Sequence, residues 1–172
     1  KRIGELCFKH HVLVLSDEIH CDITRPGMEY IPFASVSEHC KYNSITCVAP
    51  TKTFNLAGLQ TAAVIVPDAA LRHQVNRGLN TDEVAEPNVF AAIAPIAAFD
   101  RGREWLEELR EYLWENRKFA EDFIREEIPE LRTVSADATY LLWIDCNALP
   151  GDLSELAEFI RKESGLYVCD GR

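Results

Sequence analysis

No run of apolar residues in this sequence approaches the roughly 20 residues that cross a bilayer, so no membrane-spanning helix is predicted. Basic residues are few: 18 Lys and Arg stand against 28 Asp and Glu, a formal net charge of −10 at pH 7. Because nucleic acids and anionic membranes bind positively charged surfaces, this balance argues against both as partners. At 172 residues, the chain is long enough to bury the core of one domain or somewhat more.

The cysteines also lack the spacing of a metal-binding or redox motif. None of the six forms a Cys-x-x-Cys pair, and most lie in apolar segments. This usage predicts buried thiols in a reducing compartment such as the cytoplasm. His10, His11, His20 and Cys21 lie near one another in sequence, but no second ligand pair at structural-site spacing accompanies them. We therefore predict no metal site.

Both ends of the sequence have the character of internal segments. No Met precedes Lys1, and residues 1–8 read as the tail of an amphipathic helix without a capping residue before it. Residues 165–172 end just after an apolar strand has begun. We expect the chain to be a piece of a longer protein.

Apolar runs alternate with helical patterns along the chain, as in a layered α/β domain. The runs in the first half are continuous, which favours a sheet buried on both faces. Apolar residues recur at helical spacing over residues 101–127, and Pro129 follows. The predicted strands are residues 11–15, 44–48, 61–66, 139–145 and 166–169. The predicted helices are residues 1–8, 88–98, 101–127 and a helix from Asp152 or Ser154 to Lys162, stopped by Gly165.

Ionisable residues follow two of the predicted strands. Asp17 and His20 follow the first, and Thr51 and Lys52 follow the second. Ligands of open α/β sheets collect beyond the carboxyl ends of strands, so these side chains share one crevice if the strands are neighbours. A lysine there can form a Schiff base with a carbonyl cofactor, and pyridoxal phosphate also needs an acid beside its pyridine nitrogen. The alternative is that both groups are solvated strand ends.

Two motifs favour a cofactor site over solvated strand ends, because they resemble those of a known family. Residues 16–20, SDEIH, followed by residues 49–60, APTKTFNLAGLQ, resemble the class I/II aminotransferases, which are fold-type I enzymes dependent on pyridoxal 5′-phosphate (PLP). Within that family the sequence is most similar to the cystathionine β-lyase-like branch of C–S lyases. Residues 138–145 and 168–172 also resemble that branch, so the resemblance covers essentially the whole chain.

The resemblance implies an α/β fold with three parts. Residues 1–80 would form a portion of the sheet of the PLP-binding large domain. Residues 81–131 would form a helical connection that includes the long interdomain helix. Residues 132–172 would form part of the small C-terminal α/β domain.

The resemblance also implies roles for four residues. Lys52 would carry the Schiff base and shuttle the proton between cofactor and substrate α-carbon. Asp17 would pair with the pyridine nitrogen. His20 would lie where aminotransferases often place a tyrosine at the phenolic oxygen of the cofactor, and Thr51 would reach the phosphate.

The sequence departs from the family pattern at the phosphate. Gln60 stands where many members carry a phosphate-binding arginine, and Ala49 stands where a phosphate-binding hydroxyl is common. The family's glycine-containing phosphate loop, its ring-stacking aromatic, its Asn-Pro turn and its carboxylate-binding arginine have no counterpart in this sequence. Members of the family act as homodimers that share residues between active sites. We therefore expect the parent protein to be an enzyme and this chain to be inactive alone.

The predicted reaction of the parent protein is α,β-elimination on a cysteine-like amino acid such as cystathionine, with PLP as cofactor. Transamination of an amino acid begins from the same carbanion and is the first alternative. A non-catalytic fragment or interaction module is the second, and the character of the two ends favours it. The residues in this sequence do not decide between elimination and transamination.

Overall fold

The computed structural model describes residues 1–171, which form an α/β structure. Arg172, the last residue of the predicted small-domain segment, lies outside the described residues. The helices are α1 (Arg2–Lys9), α2 (Glu38–Tyr42), α3 (Ala69–Thr81), α4 (Phe90–Arg101), α5 (Arg103–Glu127) and α6 (Leu153–Ser164). The strands are β1 (Val14–Asp17), β2 (Ser44–Val48), β3 (Ala63–Ile65), β4 (Arg132–Thr133) and β5 (Ile144–Asp145), and short 3₁₀ turns cover Phe33–Ser35 and Ala57–Leu59.

Three strands form one sheet in the order β1-β2-β3. Strand β1 runs parallel to β2, with Val14 opposite Ser44 and Asp17 opposite Cys47. Strand β3 pairs antiparallel with the other edge of β2, with Thr46 opposite Ile65. The predicted strand 44–48 is confirmed at both ends, whereas the first strand begins later than predicted and extends to Asp17.

Side-chain caps and a glycine set several helix ends. Ser37 accepts a hydrogen bond from Cys40 N at the start of α2, and Asp68 accepts one from Leu71 N at the start of α3. Asp152 caps α6, confirming the first of the two predicted starts. Gly165 ends α6 at φ 74°, in the left-handed region where glycine is favoured, as predicted.

The prediction that the sheet is buried on both faces is wrong for this chain. All three residues of β3 are exposed, including Ile65 at 49%, and Leu15 of β1 is 68% exposed. The apolar interior is small, because only a few apolar side chains of the described residues are buried. These are Ile23, Cys40, Ala49, Val66, Ala91 and Ile124. The described helices leave much of the sheet uncovered, and this explains the difference.

The chain divides into two compact units. The first unit contains residues 1–114 with residues 137–139, and the second contains residues 115–136 and the segment from residue 140 onward. The long helix α5 contributes to both. The division into segments 1–80, 81–131 and 132–172 that the family resemblance implies stays a prediction.

Two predicted strands of the second half are largely absent. Of residues 139–145, only Ile144–Asp145 forms a strand, which pairs antiparallel with Arg132–Thr133. Thr139 has φ 67°, which interrupts an extended run, and the carbonyl of Leu141 accepts a hydrogen bond from the buried Arg117. An apolar pattern alone does not reveal either effect.

The predicted strand 166–169 does not form within the described residues. Residues 165–171 have no regular structure, and side-chain contacts hold this segment. Ser154 Oγ donates to Asp170 Oδ2 at 2.6 Å, and Gly171 lies against the ring of Trp143. These contacts lie within the second unit and replace the pairing that the apolar residues predicted.

No helix among residues 1–171 combines the length and the apolarity that crossing a membrane requires.

The contact between α1 and α2 gives a test of packing. A Cβ added at Gly4 would overlap the Sγ of Cys40, whose side chain is fully buried. We expect Gly4→Ala to lower the free energy of unfolding by about 1–3 kcal/mol, as overpacking commonly does. Urea denaturation of the purified protein measures the change.

Gly78→Ala is the matched control, because Gly78 lies inside α3 with no atom within 4 Å of an added Cβ. It should leave stability unchanged or raise it by up to about 1 kcal/mol through better helix propensity. Equal stability of the two variants would contradict the close packing of α1 on α2.

Candidate active site

The parallel pairing of β1 and β2 brings the two predicted site segments together. Asp17 is the last residue of β1 and lies opposite Cys47, and the ladder continues with Glu18 N donating to Cys47 O at 2.8 Å. Parallel strands end at the same edge of a sheet, so Asp17 and the turn after β2 that contains Lys52 lie at one edge. The prediction that these two strands are neighbours is confirmed.

Asp17 opens the segment that we term the acidic loop (residues 17–24). Its side chain is exposed, and its Oδ1 accepts a hydrogen bond from Ile19 N at 3.3 Å. Asp17 shares a sheet face with its register partner Cys47. Burial, and secondarily the charge of Asp17, raise the pKa of the Cys47 thiol above its ordinary value. The Asp17 carboxylate therefore faces an open side of the sheet with a protonated thiol beside it.

Unlike Asp17, Glu18 is buried, and its role was not predicted. It is 6% exposed, and its Oε1 accepts hydrogen bonds from Ser16 Oγ at 2.8 Å and Phe33 N at 3.0 Å. Burial, followed by a hydrogen bond to Glu18, raises the pKa of Tyr30. Glu18 thus fixes residues 30–33 against the end of β1. The period-two alternation of a strand, continued past Asp17, would have placed Glu18 on the buried face.

The segment that we term the lysine turn (residues 50–56) is a single helical turn. Phe54 N donates to Pro50 O at 2.9 Å, and Leu56 N donates to Thr51 O at 3.0 Å. Asn55 has φ 54°, the left-handed conformation that commonly ends a helix. Lys52 is exposed and Thr51 is half-buried. The turn therefore presents the Lys52 amine to solvent at the carboxyl end of β2.

Aromatic packing holds the lysine turn from one side. The ring of Phe54 stacks on Trp105 at 5.7 Å between centroids and meets Phe99 edge-on at 5.8 Å. Gly102, between α4 and α5, permits this approach, because a Cβ there would collide with the Phe54 ring. Sequence reasoning assigned the apolar pattern of α5 to packing in general and missed this contact with the residues after Lys52.

The acidic loop contains His20, which is half-buried and whose carbonyl accepts a hydrogen bond from Ile23 N. Arg110 of α5 holds the end of the loop and the residues that follow. Its Nε donates to Thr24 O and its Nη2 to Met28 O, both at 3.0 Å. This arginine also pairs with Glu107 at 3.0 Å. Its role was not predicted, because the loop and the helix are distant in sequence.

A cavity of about 980 Å³ lies beside the sheet and is lined by residues that include Glu18, Asp22, Thr46 and Ile65. Thr46 and Ile65 are register partners, and Thr46 lies on the sheet face opposite to Cys47 and Asp17. Neither Asp17 nor Lys52 lines this cavity. Asp17 therefore lies on the sheet face opposite to this cavity.

Comparisons with known proteins give a consistent result. Residues 1–172 match the family model described as aminotransferase class I and II. Cystathionine beta-lyase PatB of Bacillus subtilis (strain 168) is 41% identical over 170 residues, which are 99% of this chain and 44% of PatB. Protein MalY of Escherichia coli (strain K12) is 30% identical over 170 residues, 98% of this chain and 43% of MalY. The chain thus spans less than half the length of these relatives.

Solved structures resemble the chain over almost its whole length. Cystalysin from Treponema denticola, whose structure contains a pyridoxal 5′-phosphate cofactor, matches with a TM-score of 0.91 and 27% identity. That match covers 96% of this chain and 42% of cystalysin. The PLP-bound C-S lyase from Staphylococcus hominis matches with a TM-score of 0.82 and 31% identity, again over 96% of this chain and 42% of the lyase.

The left-handed backbone conformation of Asn55 in the lysine turn can be tested directly. A left-handed conformation costs an ordinary L-residue about 1–2 kcal/mol, whereas glycine adopts it freely and asparagine tolerates it. We expect Asn55→Ala to lower the free energy of unfolding by about 1 kcal/mol and Asn55→Gly to remain close to the parent protein. Urea denaturation of both variants distinguishes them. Equal stability of the alanine and glycine variants would show that the turn does not impose this conformation.

Proposed function

Because the chain belongs to the aminotransferase class I and II family, we propose that the parent protein is a PLP-dependent C–S lyase of the cystathionine β-lyase type. Its reaction would be α,β-elimination on a cysteine-like amino acid such as cystathionine, with release of a thiol, ammonia and a keto acid. The observation that carries the proposal is the 41% identity to cystathionine beta-lyase PatB over 99% of this chain. The parallel pairing that puts Asp17 and the turn containing Lys52 at one edge of the sheet supports it independently.

The residues at the sheet edge fit this cofactor at its ring and its aldehyde. Lys52 offers an exposed amine, and Asp17 offers an exposed carboxylate at the same edge. When bound, PLP supplies an electron sink for the bonds at the substrate α-carbon. Asp17 would hold the proton on the pyridine nitrogen through an ion pair, and His20 would hydrogen-bond the phenolic oxygen.

Lys52 would act twice in this site. Its amine would hold the cofactor covalently, and once displaced by substrate the free amine would take the proton from the α-carbon. The exposure of Lys52 leaves the amine accessible for both tasks. Thr51, half-buried beside it, would bond the cofactor phosphate.

The fit is weaker at the phosphate. Ala49 is buried and without a hydroxyl, and Gln60 brings no positive charge. A phosphate with two negative charges needs donors and cations that these two positions do not provide. We propose that the 172-residue chain does not turn over substrate by itself and that the parent protein supplies the phosphate and carboxylate contacts.

Further features of the parent protein follow as proposals. We propose that it is a homodimer in which residues 1–80 belong to the large domain, 81–131 to the helical connection and 132–172 to the small domain. Exposed apolar side chains such as Leu15, Phe90 and Ile93 support this proposal, because they offer surfaces for further packing. Six free cysteines support a reducing, cytoplasmic location.

Transamination is the second candidate reaction. The aspartate aminotransferase of Bacillus subtilis (strain 168) is 27% identical over 109 residues, 63% of this chain. Removal of the same α-proton begins both reactions, so the residues described here serve either. A non-catalytic interaction module is the candidate from another class, and the many exposed apolar side chains favour it.

Product analysis separates the two reactions. We expect the full-length protein loaded with PLP to release a keto acid and a thiol from cystathionine in the absence of any amino acceptor, because elimination regenerates the cofactor without one. Keto acid detected with lactate dehydrogenase or a hydrazine reagent measures this. Product formation only when a keto-acid acceptor is added would favour transamination, and no product with either would favour the non-catalytic reading.

Substitutions of Lys52 and Asp17 test the proposed roles. In the full-length protein, Lys52→Ala should lower turnover by at least about 10²–10⁴-fold, the usual contribution of a general base, and should leave PLP bound only noncovalently. Asp17→Asn should keep the covalent attachment but lower turnover, because the pyridine nitrogen loses its ion-pair partner. Arg72, whose side chain bonds the carbonyls of Val66 and Pro67, gives a control variant, Arg72→Lys, with turnover close to that of the parent protein.

Borohydride reduction followed by peptide mapping locates the attachment. A pyridoxyl group on Lys52 supports the assignment. A label on another lysine, with Lys52 unmodified, would refute it.

A further inference from the structure

The carboxylate of Asp22 connects the acidic loop to the lysine turn. Thr53 Oγ1 donates to Asp22 Oδ2 at 3.1 Å, across 31 positions of sequence. Thr53 directly follows Lys52 and is completely buried, whereas Asp22 lies two residues after His20. The bond therefore joins the two segments that carry the candidate site residues.

Backbone pairing alone does not hold these segments together. The parallel ladder between β1 and β2 reaches its end where Glu18 N donates to Cys47 O. Past that point the acidic loop bonds within itself, as in Cys21 N to Glu18 O and Ile23 N to His20 O. The lysine turn also bonds within itself, as in Phe54 N to Pro50 O. A side-chain bond that crosses from one segment to the other then fixes their separation.

Resting on the function proposed above, we propose that the Thr53–Asp22 hydrogen bond is a positioning contact that sets the Lys52 amine relative to the Asp17 carboxylate. Neither residue would touch substrate. Thr53 would act through the backbone of the adjacent Lys52, and Asp22 through the loop that it shares with Asp17 and His20. Displacement of a reacting group by 1 Å can cost about 10²-fold in rate, so such a contact matters for turnover.

The surroundings of Asp22 agree with this role. The Cys21 thiol neighbours the Asp22 carboxylate in the acidic loop. Burial, followed by the charges of Asp22 and Glu18, raises the pKa of Cys21 to about 11, so the thiol is uncharged at neutral pH. The hydrogen bond from Thr53 Oγ1 therefore joins the lysine turn to a carboxylate beside a neutral thiol.

The test uses the full-length protein loaded with PLP. Thr53→Val keeps the size of the side chain and removes the donor, whereas Thr53→Ser keeps the donor. We expect Thr53→Val to lower kcat by about 10²-fold with little change in KM, and to shift the pH midpoint of the visible absorbance band of the bound cofactor. Thr53→Ser should restore most of kcat and the original midpoint.

Thr61→Val is the matched control. Thr61 Oγ1 also donates one hydrogen bond of 3.1 Å, to Ala91 O, but it does not join the acidic loop to the lysine turn. A purely structural effect of losing a threonine hydroxyl would appear in Thr61→Val as well as in Thr53→Val. We expect the band midpoint and kcat of Thr61→Val to match the parent protein.

Asp22→Leu breaks the contact from the other side and covers the case in which Thr53→Val does not fold. It keeps the branched shape of the side chain and removes both carboxylate oxygens, and we expect the midpoint to shift and kcat to fall. An unchanged midpoint and kcat in every folded variant of Thr53 and Asp22, or equal changes in Thr61→Val, would overturn the positioning role. A parent protein without the visible band and without a borohydride label on Lys52 would overturn the proposed function, and the positioning role with it.

Discussion

Backbone hydrogen bonds between β1 and β2 create the candidate site, because they align the ends of two strands that are separated along the chain by a loop and a short helix. The strands pair in parallel, with Asp17 opposite Cys47. The acidic loop and the lysine turn, which follow the two strands, therefore begin at one edge of the sheet. An antiparallel arrangement of the same two strands would send Asp17 and Lys52 to opposite edges. The direction of the strands therefore decides whether the carboxylate and the amine lie at one edge of the sheet.

The site obtains its geometry from residues on both sides of that edge. Glu18, buried beneath the end of β1, bonds Ser16 and Phe33, whereas its neighbour Asp17 remains exposed. Phe54 anchors the lysine turn on Phe99 and Trp105. Two adjacent carboxylates thus have different tasks, one holding the backbone and the other available to a ligand. Exposed reactive groups on a well-packed support are a common arrangement of active sites.

Local sequence patterns predicted the elements whose bounds depend on interactions between residues close in sequence. The buried run 44–48 became β2, and the cap Asp152 and terminator Gly165 bounded α6. The predicted strand 139–145 was wrong in most of its length, because Thr139 turns left-handed and Arg117 takes the carbonyl of Leu141. The contacts that support the site, such as Thr53 with Asp22, join residues distant in sequence. No periodic pattern encodes such pairs, so only the neighbouring strand ends were predictable.

The protonated thiols beside the sheet edge have a consequence for the redox chemistry of this region. Thiol–disulfide exchange proceeds through a thiolate, and a raised pKa keeps its concentration low. Burial and nearby carboxylates raise the pKa of both Cys21 and Cys47, that of Cys21 to about 11. Burial, together with the charges of Asp17 and Asp22, therefore slows the attack of either sulfur atom on a disulfide. The carboxylates that border the candidate site thus help to keep its cysteines in the unreactive thiol form.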